Sequence, residues 1–180
     1  LTPGERPTRY YCKFAQPENS EHLWSELLAD ELYRTVTPEL VPETRPVILE
    51  GRLARASKIV EIDGQPVTNE ARNAGFIMDA FLGNWDATYN SENLVMSNGQ
   101  AMRIDTGNAL FFRARGDRKA TEQFGAVVSE LEDGADQGNL GTGMRQNYPG
   151  ITDEGIQEQV NDLVTNLTNE RIDQIVDGVR

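Results

Sequence analysis

The segments that favour β-strands and those that favour helices lie in different parts of this chain. Strand signals come early, in the aromatic run 10–14 and in the β-branched runs 47–49 and 58–62, with one helical stretch between them. Helical periodicity prevails afterwards and is interrupted by a single hairpin. This segregation predicts the α+β class, with a sheet-rich first part and a helical second part.

Capping and breaking residues mark the early elements. Tyr10–Phe14 is bounded by Gln16-Pro17 and reads as a strand, and the runs 47–49 and 58–62 are predicted to form an antiparallel pair. Ser20 is expected to cap the first helix. The apolar stripe of that helix consists of Leu23, Trp24, Leu27, Leu28 and Leu32.

The second part of the chain contains one strong hairpin signal among helices. A buried helix is expected over 69–82, followed by a loop that begins with Asp86. The Asn98-Gly99 pair supplies the positive φ angles of a two-residue turn, which predicts strands over 93–96 and 101–104. Beyond Thr152, apolar residues at helical spacing predict a capped helix and then another.

Composition excludes several classes of protein. The 180 residues carry 17 Lys and Arg against 29 Asp and Glu, and the net charge of -12 argues against nucleic acid as a partner. One Cys and one His can form neither an internal disulfide nor a zinc site. Without an apolar run of about 20 residues, we expect no membrane insertion and a cytoplasmic protein. The basic segment 113–119 is either a solvated loop or the place where a phosphate or an acidic substrate is attracted.

Three polar side chains stand together at the predicted hairpin. A hairpin brings its first and last residues side by side, so Asn93 and Asp105 should be neighbours. Two such oxygen ligands suit a Mg²⁺ ion that bridges the phosphates of a nucleotide. Asp86, seven residues before Asn93, could face the same space and orient or deprotonate an attacking hydroxyl.

The order of these residues resembles the protein-kinase-like superfamily, with a Lys in an early strand, a Glu in the next helix, an Asp-loop-Asn, a hairpin and an Asp-x-Gly. The segments 81–86 (FLGNWD) and 104–110 (IDTGNAL) are similar to its atypical branch. That branch includes phosphoinositide 3/4-kinases, HipA-type kinases and small kinase-like proteins of bacteria and phages. The segments 10–14 and 24–33 also resemble these small proteins.

The resemblance implies a bilobal fold, with a reduced β-rich N-lobe over 1–66 and a helical C-lobe over 67–180. It implies ATP and Mg²⁺ as cofactors and transfer of the γ-phosphate to a hydroxyl acceptor, expected to be on a protein. Lys13 would hold the α/β-phosphates and pair with Glu26. Asp86 would be the catalytic Asp, and Asn93 and Asp105 would be the metal ligands.

Several alternatives stay open at this stage. Asn90 competes with Asn93 for the metal because of the loop spacing, and Glu31 competes with Glu26 because it falls inside the apolar stripe of the helix. Only Gly4 precedes Lys13, so the glycine-rich phosphate lid is expected to be truncated, absent or replaced, and whether a lid precedes Leu1 stays open. A kinase-shaped binding module, such as a pseudokinase or a phage structural protein, is therefore the second hypothesis, and a carboxylate-rich cation-binding protein is the third.

Overall fold

A computed structural model describes residues 7–17, 19–113, 115–119, 128, 131 and 144–179. It confirms the predicted α+β class, because small antiparallel sheets pack with short and medium-length helices. Residues 132–143, which are rich in glycine, lie outside the described residues.

The first sheet has three strands, β1 (Tyr10–Phe14), β2 (Thr44–Leu49) and β3 (Arg52–Lys58), in the order β1-β3-β2. Its pairing is antiparallel throughout. The expectation of a strand over 58–62 is wrong. The turn at Glu50-Gly51, with φ angles of 52° and 73°, places Arg52 opposite Leu49, so the partner strand starts at once.

Helix α1 (Ser20–Val36) is buried on two sides. Its apolar face, with Ala29, Leu32 and Tyr33, joins a core that includes residues of later helices. Its other buried residues include charged ones that face the sheet. The cap is Asn19 and not Ser20, since the Asn19 side chain accepts a hydrogen bond from the backbone N–H of His22.

The expected helix over 69–82 is interrupted. The chain forms α2 (Asn69–Asn73) and α3 (Phe76–Phe81), with a break at Gly75. A Cβ atom at Gly75 would overlap the guanidinium of Arg103, so the close approach of this arginine requires glycine there. Asp86 also lies in a helix of its own, α4 (Trp85–Tyr89), and not in a loop.

The predicted hairpin is confirmed with a shift of one residue. It consists of β4 (Leu94–Ser97) and β5 (Gln100–Arg103), joined by Asn98-Gly99 with φ angles of 51° and 76°. The carboxylate of Asp63 accepts hydrogen bonds from the backbone N–H groups of both turn residues, at 3.0 and 2.9 Å. This contact fixes the hairpin tip against the segment that follows the first sheet.

The two C-terminal helices are α5 (Asp153–Asn166) and α6 (Asn169–Val179). Thr152 caps α5 as predicted, because its side chain accepts a hydrogen bond from the N–H of Gly155. Helix α5 packs on α3, and α6 packs on α1. None of the described helices combines the length and apolarity needed to cross a membrane.

Candidate functional site

Four charged side chains meet between the first sheet and helix α1. Lys13 of β1 and Arg55 of β3 are cross-strand partners, so both project from the same face of the sheet. Two cations placed opposite each other repel unless anions separate them. Glu26 and Asp30 lie four residues apart on α1, on one face of the helix, and both face these cations.

The ion pair expected between Lys13 and Glu26 is present. Lys13 Nζ lies 2.9 Å from Glu26 Oε2, and the side chain of Glu26 is fully buried while that of Lys13 is 31% exposed. Glu31, the competing candidate, instead contacts Arg34 at the surface of the helix. Glu26 is buried because the sheet covers the flank of α1, which the apolar stripe alone does not reveal. Its role at a nucleotide stays a prediction.

Arg55 is held by the helix. Its Nε and Nη2 atoms donate to the two carboxylate oxygens of Asp30 at 2.6 and 3.1 Å, and Nη1 lies 3.4 Å from Glu26 Oε1. Burial on its own would lower the pKa of Arg55, but Asp30 outweighs it and raises that pKa. Because the side chain of Arg55 is almost fully buried, Lys13 is the strand cation that retains access to solvent.

The segment Asp105-Thr106-Gly107 joins this cluster. Asp105 Oδ1 lies 3.5 Å from Lys13 Nζ and accepts a hydrogen bond from the N–H of Gly107 at 2.9 Å. The hydroxyl of Thr106 donates to Asp30 at 2.8 Å, which ties the segment to α1. A Cβ atom at Gly107 would lie 3.1 Å from Lys13 Nζ, so glycine allows the segment to approach the lysine closely.

The electrostatics of the cluster keep its exposed members charged. Burial would lower the pKa of Lys13, but Glu26 and Asp105 together raise it. Burial would raise the pKa of Asp105, yet Lys13 and the N–H of Gly107 hold it below its ordinary value. Burial raises the pKa of Glu26 despite Arg55 and Lys13. None of the described residues donates a well-formed hydrogen bond to either oxygen of Glu26. Glu26 is therefore held by its ion pairs with Lys13 and Arg55.

Asp86 reaches this region through Asn108. Asp86 lies in the first turn of α4, and its Oδ1 accepts a hydrogen bond from Asn108 Nδ2 at 2.8 Å. Asn108 directly follows Gly107, so one short segment contacts Lys13 at Asp105 and Asp86 at Asn108. The structure therefore brings the predicted catalytic Asp next to the segment that carries a predicted metal ligand.

Asn93 and Asp105 line a common depression. The carbonyl of Asn93 accepts a hydrogen bond from the N–H of Ile104 at 3.0 Å, which extends the hairpin ladder and places Asn93 beside Asp105. Both residues line a cavity of about 370 Å³ whose wall also includes Ile59 and Ile62. Asn90, the competitor, is exposed and uses its side-chain oxygen to accept from the N–H of Glu92. The geometry thus favours Asn93 over Asn90.

The basic segment 113–119, for which a solvated loop and a binding role were both open, makes contacts with the rest of the protein. Lys119 is buried, and its Nζ donates to the carbonyls of Gly83 and Asn108, each at 2.6 Å. Arg118 contacts Glu21 at the start of α1 and stacks on Phe112. At least one basic side chain of this segment, that of Lys119, is therefore bound inside the protein.

Several partners in the site were missed from the sequence. Asp30 carried a signal, because it lies one helical turn after Glu26 and shares its face. No local sequence pattern indicated the other three partners, Arg55, Thr106 and Asn108. Their contacts depend on the register of the sheet and on the path of the chain after Asp105. His22 lies in the first turn of α1, and its Nε2 is 2.7 Å from the carbonyl of Gly107.

No protein-family model matches the chain, and no match was found among the curated proteins or the solved structures. The interpretation of the site consequently depends on its own residues and geometry.

Proposed function

We propose that the chain is a kinase-like phosphotransferase that binds Mg-ATP and moves the γ-phosphate to a hydroxyl acceptor, with a protein as the expected acceptor class. The observation that carries this proposal is the convergence of Lys13, Glu26 and Asp105, which come from β1, α1 and the end of the hairpin. A bilobal arrangement, with an N-lobe over 1–66 and a C-lobe over 67–180, belongs to the same proposal.

Lys13 is suited to phosphate binding. Its ammonium is charged, partly exposed and oriented by a buried carboxylate, whereas Arg55 is occupied by Asp30. Phosphate oxygens arriving at Lys13 would meet a fixed cation that does not have to be reorganised when the phosphoryl group moves. Little covalent chemistry falls to the protein in such a transfer, so positioning and charge supply most of the effect.

Asn93 and Asp105 are suited to a metal that is shared with the nucleotide. Among the described residues there is no group of three or more His, Cys, Asp or Glu side chains that could hold a metal ion. Mg²⁺ is commonly held by one or two protein oxygens together with water and phosphate oxygens, and it neutralises phosphate charge when bound. The donor set therefore favours a nucleotide-bound metal over a cation site built by the protein alone.

Nucleotide binding can be tested by thermal unfolding. We expect Mg-ATP at a hundredfold excess over its Kd to raise the Tm of the wild type by about 5–10 °C, because binding to the folded state stabilises it by about 2.7 kcal/mol. Asp105→Ala should lose most of this shift, and ATP without Mg²⁺ should give little of it. Glu158→Ala, an exposed carboxylate on α5, is the matched control and should retain the shift.

Phosphate transfer is a separate claim and is carried by Asp86, which would aim the acceptor hydroxyl. With radiolabelled Mg-ATP, we expect Asp86→Ala to retain nucleotide binding and to lose phosphate incorporation by about 100-fold or more. An unchanged rate in this variant would remove the assigned role of Asp86.

A second candidate function is a kinase-shaped binding module without transfer. One observation favours it: Lys13 is already paired with two carboxylates. This candidate predicts no labelled phosphate in any acceptor, and no difference between the wild type and Asp86→Ala.

A further inference from the structure

Lys119 holds together the two segments that meet at Asp86. Its Nζ donates to the carbonyl of Gly83, three residues before Asp86, and to the carbonyl of Asn108, each at 2.6 Å. The same ammonium lies 4.5 Å from the ring centroid of Trp85, the residue that precedes Asp86. A buried lysine is costly unless its charge is well compensated, so these contacts fix the relative position of both segments.

Asn108 is the direct link to the carboxylate. Its side chain is 7% exposed, and Nδ2 donates to Asp86 Oδ1 at 2.8 Å. Its own oxygen is buried and accepts no hydrogen bond from the described residues, so the contact with Asp86 is what orients the amide. Of the described residues none donates a hydrogen bond to the second oxygen of Asp86, which leaves that oxygen to accept from a hydroxyl.

We infer that Asn108 and Lys119 are positioning residues for Asp86. Lys119 fixes the backbone at Gly83 and at Asn108. The amide of Asn108 holds one carboxylate oxygen of Asp86, so that the other oxygen points at the acceptor hydroxyl. This inference rests on the proposed function, in which Asp86 aims that hydroxyl. A misplacement of about 1 Å at such a group can reduce a rate by about 100-fold.

The first part of the test does not depend on activity. Thermal melts of the wild type, Asn108→Leu, Asp86→Ala and the double variant form a double-mutant cycle. We expect Asn108→Leu to lower the Tm by about 2–4 °C in the wild type and by clearly less in the Asp86→Ala background, because the hydrogen bond is already absent there. Equal losses in both backgrounds would show that the two side chains are not coupled and would overturn the inference.

The second part measures hydrolysis of Mg-ATP to ADP and phosphate in single turnovers, with water as the hydroxyl acceptor that Asp86 orients, and Kd for Mg-ATP is measured alongside. At pH 8, Asn108→Leu and Asn108→Asp should both lose about 10- to 100-fold in rate with Kd unchanged. The introduced carboxyl lies next to Asp86, so its pKa is raised, and on protonation it can donate in place of the amide. Relative to the wild type at the same pH, Asn108→Asp should therefore recover about tenfold between pH 8 and pH 5, and Asn108→Leu should not.

The outcomes separate the two claims. Coupling in the melts with recovery of Asn108→Asp at low pH supports the inference. Coupling without recovery overturns it and leaves a structural contact. If the wild type neither binds Mg-ATP nor releases phosphate, the proposed function fails and the inference falls with it, while the melts still report whether the contact exists.

Discussion

Among the described residues, two buried ion pairs join a strand arginine to a helix aspartate, and they differ in what surrounds them. In the first, Arg103 of β5 donates to both oxygens of Asp79 on α3, and both side chains are fully buried. Tyr33 and Tyr148 also donate to Asp79, at 2.5 and 2.7 Å. Every oxygen of this carboxylate thus has a donor, and the cluster is closed to solvent.

In the second, Arg55 of β3 holds Asp30 on α1 in the same two-pronged manner. Here the neighbours are charged and not phenolic. Glu26 has ion pairs but no well-formed hydrogen bond from the described residues, and beyond it Lys13 and Asp105 are partly exposed.

We interpret the cluster around Asp79 as structural and the cluster around Lys13 as the proposed binding site. The charges around Asp79 are fully compensated within the protein, so a ligand would gain nothing there. The charges around Glu26 are compensated only in part and lie at the solvent-accessible edge. Charged groups with perturbed pKa values and partial exposure, such as Lys13 and Asp105, are typical of functional sites.

The largest effect is expected from removing Arg103, the arginine of the closed cluster around Asp79. Arg103→Leu leaves Asp79 as an uncompensated buried charge, which should cost about 3–5 kcal/mol in the free energy of unfolding. Urea denaturation measures this loss, with Arg171→Leu on the exposed side of α6 as the control, expected within about 0.5 kcal/mol of the wild type. A loss below about 1 kcal/mol for Arg103→Leu would contradict the contrast between the clusters.

The next effect acts on the same cluster through the backbone. Gly75→Ala places a methyl group in the position of the Arg103 guanidinium, and we expect a loss of about 1–3 kcal/mol from overpacking. Gly178→Ala on α6 is the matched control, because nothing lies within 4 Å of its added Cβ and alanine favours a helix. The control should be neutral or stabilising in the same denaturation assay.

A smaller effect on stability is expected in the cluster of Lys13, Glu26 and Asp105, which is open to solvent and is called the open cluster below. Lys13→Met removes the closest ion pair of the buried Glu26, which keeps Arg55 as a partner, so the loss in the free energy of unfolding should stay below that of Arg103→Leu. The same variant should abolish most of the Tm shift caused by Mg-ATP, since the phosphates lose their cation. A large loss of stability with an unchanged Mg-ATP shift would assign Lys13 to the fold and not to a ligand.

The smallest effect concerns acid pH. The folded-state pKa of Asp105 lies below its ordinary value of 3.8, because burial is outweighed by Lys13 and the Gly107 N–H. A lowered pKa contributes stability above the unfolded value, and this contribution is lost as the pH falls through the folded value. Asp105→Asn should therefore melt slightly below the wild type at pH 7, and the difference should close below about pH 3.8. A difference that persists or grows in acid would contradict this sign.

The sequence predicted the elements whose signals are local. The Asn98-Gly99 turn, the strand Tyr10–Phe14 and the cap at Thr152 all depend on residues close by in the chain. The close approach of Arg103 to Gly75 could not be predicted, because the two residues are 28 positions apart in the sequence. Strand β3 was misplaced because its central residues include Ala54 and Ala56, which carry little strand signal.

The candidate site shows the same limit. Lys13, Glu26 and Asp105 were expected together from a resemblance in residue order, and the contacts among them are present in the structure. The choice of Glu26 over Glu31 was uncertain because helical periodicity accounts for one buried face, whereas α1 has a second face covered by the sheet. The contact of Asn108 with Asp86 could not be predicted, because it depends on the path of the chain around Asp86 and no local pattern reveals that path.

The central claim is that the open cluster at Lys13 is a nucleotide site. A crystal structure of the full chain soaked with Mg²⁺ and a non-hydrolysable ATP analogue tests it most directly. We predict phosphate oxygens within about 3 Å of Lys13 Nζ and a Mg²⁺ ion on Asp105 and Asn93 at about 2.1 Å. A nucleotide bound elsewhere with Lys13 still paired only to Glu26 and Asp105, or crystals without nucleotide at saturating concentration, would contradict it.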